Sequence, residues 1–269
     1  MTEIAFLGTG GDTYVISRGI RQSGCIVIKH NNMQLVIDPG VGTLQSARRC
    51  DISLRATTAV ICTSSQLHYA NDLNAVITSM TYDGSDITGV VVGTPKTVEQ
   101  SEHVVPWLRK PFSEYIERVM VALPDKKIGI EDADIYFNPI IGDEDAVGMK
   151  IVLPDVTIGY TPDTGYAERI ATLYEGCDIL ILSVPLAAGM QSKSMLSSVD
   201  AIKFIQRVKP KLAILTRFGK SMLENDPLQE ARQIHSETGV QVLAASDGQI
   251  ISPSSYSAKG SQQRLKKYQ

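Results

Sequence analysis

Short apolar runs of strand length recur through the first half of the chain, at Glu3 to Leu7, Cys25 to Lys29, Gln34 to Ile37, Ala59 to Thr63 and Gly89 to Val92. Several are rich in Val and Ile, whose branched side chains pack well on a pleated surface, and the pattern predicts a strand-rich layer. The second half alternates instead. Strands are predicted over 156–160, 178–183, 212–216 and 240–244, with helices over 166–174, 199–208 and 227–238 between them. Ser197 or Ser198 can cap the helix that follows, Pro210 ends it, and Gly239 closes the next. Helices threaded between strands cover the outer face of a sheet. The two halves read as two sheets sharing one core with helices outside, an α/β (α+β) fold in four layers, αββα, a choice over a doubly wound sheet that composition alone does not make. No linker or low-complexity tract interrupts the pattern, so residues 1–252 read as one domain and 253–269 as a basic, disordered tail.

Composition narrows the function classes. With 43% hydrophobic and 20% charged residues in 269, the chain is long enough to bury a full core. No apolar run reaches the roughly 18 to 20 residues of a membrane-spanning helix. The start, Met1-Thr2-Glu3-Ile4, lacks the basic and apolar regions of a signal peptide, and a cytoplasmic location is expected. Cys25, Cys50, Cys62 and Cys177 show no CxxC spacing and read as small apolar fillers. Net charge is −3, but Lys259, Arg264, Lys266 and Lys267 all fall in the tail. Without them the body carries 22 basic against 29 acidic residues, a net −7. An acidic body is ill suited to neutralising phosphates, so nucleic acid is an expected partner only for the tail.

Five segments carry more than periodicity. They are Phe6-Leu7-Gly8-Thr9-Gly10-Gly11; Ile37-Asp38-Pro39-Gly40; Ala59 to Leu73, reading AVICTSSQLHYANDL; Ile158 to Gly165, reading IGYTPDTG; and Ala213 to Gly219, reading AILTRFG. In order and across nearly the whole chain, they resemble the metallo-β-lactamase fold, above all its ribonuclease Z-like and archaeal hydrolase branches. The resemblance implies the same αββα sandwich. It also implies a dinuclear centre built from His-x-His-x-Asp-His and later His and Asp ligands, in which two metal ions activate a water.

The ligands themselves are mostly replaced. The first His falls on Ser64, the second on Gln66, the Asp on His68 and the third His on Tyr69; a later His falls on Ile141 and the last on Arg217, with Met195 where archaeal relatives place another. Only Asp163 keeps the family identity. Ser, Gln, Tyr and Ile are poor zinc ligands, so no metal site and no cofactor is expected. A guanidinium is permanently charged and forks onto carboxylates, and the reading pairs Arg217 with Asp163 where metal would otherwise lie. A pocket lined by Ser64, Gln66, His68, Tyr69, Asp163 and Arg217 follows from this, with a filled, ligand-free plug as the alternative.

Other residues of chemical interest attract plainer readings. Gly8, Gly10 and Gly11 suit a tight turn rather than a phosphate cradle. Asp38 and Asp72 read as turn and helix-terminus residues, Tyr14, Arg18 and Arg21 as surface residues near the cleft, and His30, His103 and His235 as lying on solvated faces. Three functions compete. The first is a pseudoenzyme that binds a small molecule or a protein partner, with a homo-oligomer left open. The second is a metal-dependent hydrolase of a phosphodiester or other ester, holding zinc through an atypical set that includes His68 and Asp163. The third is a metal-independent hydrolase with Ser64 as nucleophile and His68 and Asp163 behind it.

Overall fold

The computed structural model describes residues 2–257. Strands β1 (Thr2–Gly8), β2 (Cys25–His30), β3 (Met33–Ile37), β4 (Ala59–Cys62), β5 (Val90–Gly93) and β6 (Arg118–Val121) lie side by side in chain order and form one sheet. The other sheet takes β7 (Lys127–Ile130), β8 (Ala133–Pro139), β9 (Val147–Val152), β10 (Thr157–Thr161), β11 (Ile179–Ser183), β12 (Leu212–Thr216) and β13 (Gln241–Ala244), again in chain order. The last strand, β14 (Gln249–Ile251), returns to pair antiparallel with β1. Each sheet changes from antiparallel to parallel pairing along its length, from β3 onward in the first and from β10 onward in the second.

Alternate side chains of both sheets point into one central core, where Phe6, Ile28, Leu35 and Ile61 meet Ile135, Phe137, Ile158, Ile181 and Ile214. The opposite faces carry the helices. On the first sheet these are α1 (Thr13–Ser17), α2 (Thr43–Arg49), α3 (Leu67–Ala70), α4 (Leu73–Thr81) and α5 (Pro95–Val98), with Ala47, Leu73, Val76, Ile77 and Met80 buried against Val27, Val36, Val60 and Val91. On the second sheet lie α6 (Glu168–Thr172), α7 (Ser198–Val208), α8 (Lys220–Glu224) and α9 (Pro227–Thr238), where Ile170, Ala201, Phe204, Ile205 and Ile234 cover Leu180, Leu182, Ala213 and Leu215; a short last helix, α10 (Ser254–Ser257), follows β14. This is the αββα sandwich.

Helix α7 begins where its caps dictate. Ser197 and Asp200 form a reciprocal capping box, and Lys209, at φ 52°, ends the helix just before Pro210. The helix expected over 166–174 is shorter, Glu168–Thr172. Strands β6 to β9 and β14 were not foreseen; β6 and β7 are short, alternately or largely exposed edge strands, so their apolar signal is weak. His30 corrects an expectation: it is buried, with Nδ1 at 2.8 Å from Thr2 Oγ1 and 3.4 Å from Asp155. His103 and His235 are exposed as expected. No helix among the described residues is long and apolar enough to cross a membrane. The basic residues Lys259, Arg264, Lys266 and Lys267 lie outside the described residues.

Candidate functional site

In open α/β sheets, side chains that follow the carboxyl ends of parallel strands line the ligand-binding crevice. Here both sheets deliver such residues to one rim. Asp38 follows β3, Thr63 and Ser64 follow β4, Asp163 follows β10, Ser183 ends β11 and Arg217 follows β12. Asp38 is fully buried and accepts from the Thr63 amide at 2.7 Å, the Thr63 hydroxyl at 2.9 Å, the Tyr160 hydroxyl at 2.6 Å and Arg217 Nη2 at 3.1 Å. Arg217, 1% exposed, also donates to the Tyr160 hydroxyl from Nε at 2.8 Å and to the Gly24 carbonyl at 2.9 Å. Its guanidinium carbon lies 3.6 Å from the ring centroid of Tyr69, a close cation–π stack.

The local backbone bends to allow this. Asp38 and Arg217 both take φ 54°, a left-handed conformation that costs an ordinary residue roughly 1–2 kcal/mol. Such strain persists where surrounding contacts over-determine it. Glycines make the space: a Cβ on Gly11 would lie 1.9 Å from the Arg217 carbonyl oxygen, and one on Gly24 would lie 2.9 Å from Arg217 Cγ. The amides of Gly10 and Gly11 donate to the carbonyls of Gln22 and Phe218, which fits the tight-turn reading and leaves them unavailable to a phosphate.

Burial pushes the Asp38 carboxyl above its ordinary value, opposed by the Arg217 guanidinium and the Thr63 and Tyr160 hydrogen bonds. For Arg217, burial works against the charge, and the surrounding Tyr160, Tyr69 and Asp38 more than offset it, so the group is held above its ordinary value. Burial also raises the phenols of Tyr69 and Tyr160 well above theirs, which keeps both as neutral hydroxyls. The site thus sets a permanently charged guanidinium 3.1 Å from the Asp38 carboxyl, with two phenol hydroxyls around them.

The expected pairing of Arg217 with Asp163 is therefore corrected: the ion-pair partner is Asp38, the residue read as part of a turn. Tyr69 touches both sides, its ring under Arg217 and its hydroxyl accepting from the Asp163 amide at 2.9 Å. The Asp163 carboxylate accepts from Ser183 Oγ, and its other oxygen lies 3.8 Å from His68 Nε2. That nitrogen is buried without a hydrogen-bond partner among the described residues. Ser64 is buried and its Oγ accepts from the Gln66 amide at 3.2 Å, not from His68. Gln66 is exposed at the rim and donates to Asp143. The indole of Trp107 holds the intervening loop through the Ser65 carbonyl at 2.6 Å. The Ile141 amide donates to Thr164 Oγ1 at 3.0 Å and its carbonyl accepts from the Gly165 amide at 2.9 Å, beside Asp163.

Asp72 keeps a helix-terminus role, accepting from the Thr43 amide in the first turn of α2. Tyr14, on α1, is exposed between Arg18 and Lys220, at 5.6 and 5.2 Å from its ring centroid. Asp38, Tyr160, Ser183 and Gly24 join the site without a motif in the sequence that marks them for it. The available signal was a charged or polar residue at the end of a buried aliphatic strand, as at Ile37-Asp38 and Leu182-Ser183.

A zinc centre needs three or four Cys, His or carboxylate donors around one point. Among the described residues no group of three or more His, Cys, Asp and Glu is placed to hold a metal ion. His68 and Asp163 face each other as a pair, and the guanidinium beside them repels cations, so the residues present do not fit the dinuclear centre that the fold implies.

Residues 34–218 match the beta-lactamase superfamily domain, and the chain belongs to that superfamily, with the metallo-β-lactamase fold. It is 28% identical over 249 residues to an uncharacterized protein of Methanocaldococcus jannaschii, covering 90% of this chain and 92% of that one. Among solved structures, the metallo-beta-lactamase fold protein YhfI from Bacillus subtilis superposes with a TM-score of 0.77 at 16% identity, over 93% of this chain and 98% of that one. The short form of human tRNase Z does so with a TM-score of 0.66 at 14% identity, over 93% and 98%.

Proposed function

We propose that this protein is a metal-free, non-hydrolytic member of the superfamily, a cytoplasmic protein that works by binding a small molecule or a protein partner. The observation that carries the reading is the buried Arg217 guanidinium. It stands at the position the resemblance gives to the last metal-binding His, bonded to Asp38, Tyr160 and the Gly24 carbonyl and stacked on Tyr69. A fixed positive charge there supplies what a metal would supply to the surrounding acids, and it opposes entry of a dication.

One observation favours the alternative, a metal-dependent hydrolase with an unusual ligand set. His68 Nε2 is unpartnered and faces Asp163 across 3.8 Å, which are two ligand types at one spot. Two donors fall short of a zinc site, and the reading needs further ligands from outside the described residues. For a serine hydrolase the support is weaker, since Ser64 lacks the hydrogen bond to His68 that would activate it.

Elemental analysis of the purified protein, after incubation with zinc, manganese and iron and removal of free ion, tests the proposal. The expected result is metal far below one equivalent, together with no hydrolysis of bis(4-nitrophenyl) phosphate above the buffer rate. About two metal ions per chain, the stoichiometry of a two-metal centre, with chelator-sensitive hydrolysis would overturn it.

A further inference from the structure

Away from the rim, on the outer helix layer of the second sheet, α7 and α9 enclose a groove of about 310 Å³. Its walls include Ala188, Val199, Ile202 and Ile234, all apolar. The exposed Lys203, Gln206, Gln233 and Glu237 form its polar rim, and two buried polar side chains break the apolar lining. Ser198 is 2% exposed, and among the described residues its Oγ has no hydrogen-bond partner. Glu230 is 6% exposed; one carboxylate oxygen accepts from Asn225 Nδ2 at 3.3 Å, and the other has no partner among the described residues.

A buried carboxylate without a counter-charge is among the costlier features a fold can keep, and a buried hydroxyl without a partner adds to the cost. No ion pair among the described residues reaches Glu230. Lys203, the cation on the same wall, is engaged elsewhere, 3.1 Å from Asp200 and 5.3 Å from the centre of the Tyr166 ring. The first turn of α9 offers Glu230 partial compensation from the helix dipole, which is small beside the desolvation of a carboxylate. The missing partner is a positively charged group with several N–H donors and a stem that suits apolar walls.

We propose that this groove binds a primary alkylammonium ion, with the ammonium donating to Glu230 Oε2 and Ser198 Oγ and the methylene stem lying along Val199, Ile202 and Ile234. A free aliphatic amine and a lysine side chain share this chemistry. The groove is separate from the Arg217 site, and the assignment stands whether or not the proposed function does.

The test is titration of the full-length protein with n-butylamine and with N-acetyl-lysine N-methylamide at pH 7, followed by calorimetry and by amide chemical shifts. Saturable binding is expected, with shifts at Ser198, Glu230 and Ile234. Tighter binding of n-butylamine assigns a free amine, and tighter binding of the lysine derivative assigns a protein side chain. Glu230→Gln is expected to weaken binding about tenfold or more, the scale of one charged hydrogen bond, with the melting temperature unchanged or raised because the unpaired charge is gone. Ser198→Ala is expected to weaken binding by a smaller factor and carries the test should Glu230→Gln not fold. Absence of saturable binding at millimolar amine would overturn the assignment. So would equal binding by tetramethylammonium, which has no N–H to donate, or unchanged affinity in both variants.

Discussion

Arg217 places its guanidinium within bonding distance of groups from both sheets: Asp38 after β3, Gly24 before β2, and Tyr160 on β10. Truncation removes the positive charge and leaves the buried Asp38 carboxylate with its Thr63 and Tyr160 hydrogen bonds but no counter-charge. Losing one partner of a buried pair typically costs roughly 3 to 5 kcal/mol. Arg217→Ala is therefore expected to lower stability by about that amount in urea unfolding, and Asp38→Asn by a comparable amount. The double variant should lose less than the sum, because no orphan charge is left in it. A purely additive result would show that the pair is not coupled. Gly24→Ala belongs to the same cycle. Its Cβ would press on the Arg217 side chain, an overpacking that typically costs about 1 to 3 kcal/mol in the native background and should cost much less in Arg217→Ala. The sequence marked Arg217 as decisive, since an arginine where the family places a metal ligand has few roles. It did not reveal the partner. Asp38 and Asp163 both follow strand ends, and which one meets the guanidinium depends on the φ of 54° at Arg217 and on the approach allowed by Gly24.

Among the elements, those with continuous aliphatic runs and explicit caps were legible. β12 at Leu212–Thr216 and α9 at Pro227–Thr238 match the predicted spans residue for residue. The strands between Arg118 and Val152 were not: β7 and β8 alternate buried and outward positions, but such short alternating runs carry a weaker signal than continuous aliphatic ones. One contact ties two legible elements together. Asp178, just before β11, accepts from the Thr157 amide at 2.9 Å at the start of β10 and meets Lys211 Nζ at 2.7 Å just before β12. Partial burial acts to raise the Asp178 carboxyl, but Lys211 and the Thr157 amide outweigh it and hold the group below its ordinary value. With the folded value depressed, the ionised group contributes stability above the unfolded value near 3.8, and that contribution disappears as pH falls through the folded value. Melting temperatures of the native protein and Asp178→Asn should differ at pH 6 and converge as pH drops below about 3.8. A gap that persists unchanged at pH 2.5 would contradict the depressed value.

For the whole molecule, the two sheets close on one central core, and two outer cores lie under the helices, so most thiols are sealed. Cys25, Cys62 and Cys177 are buried, and burial pushes the Cys25 and Cys177 thiols up to about 12 and that of Cys62 well above its ordinary value. Thiolate is the reactive form, so these three should resist a disulfide reagent at pH 8 in the native protein. Cys50, only partly covered, should react first, and all four should react once the chain is unfolded in guanidinium. The same architecture bears on metal. At the rim, the ends of β3 and β12 from opposite sheets are joined by Asp38 and Arg217. A ligand that binds only the folded state raises stability by RT ln(1 + [L]/Kd), about 2.7 kcal/mol at a hundredfold excess over Kd, and its removal lowers stability by as much. On the proposed reading the sheets are held together by the chain's own guanidinium, and no such contribution arises. The chain's melting temperature should stay fixed when excess chelator is added and when zinc is supplied afterwards, whereas a protein relying on a dinuclear centre should fall by several degrees and recover. A chelator-induced drop in the native protein that is absent in a His68→Ala, Asp163→Ala double variant would locate a metal at those two residues and reverse the reading of the rim.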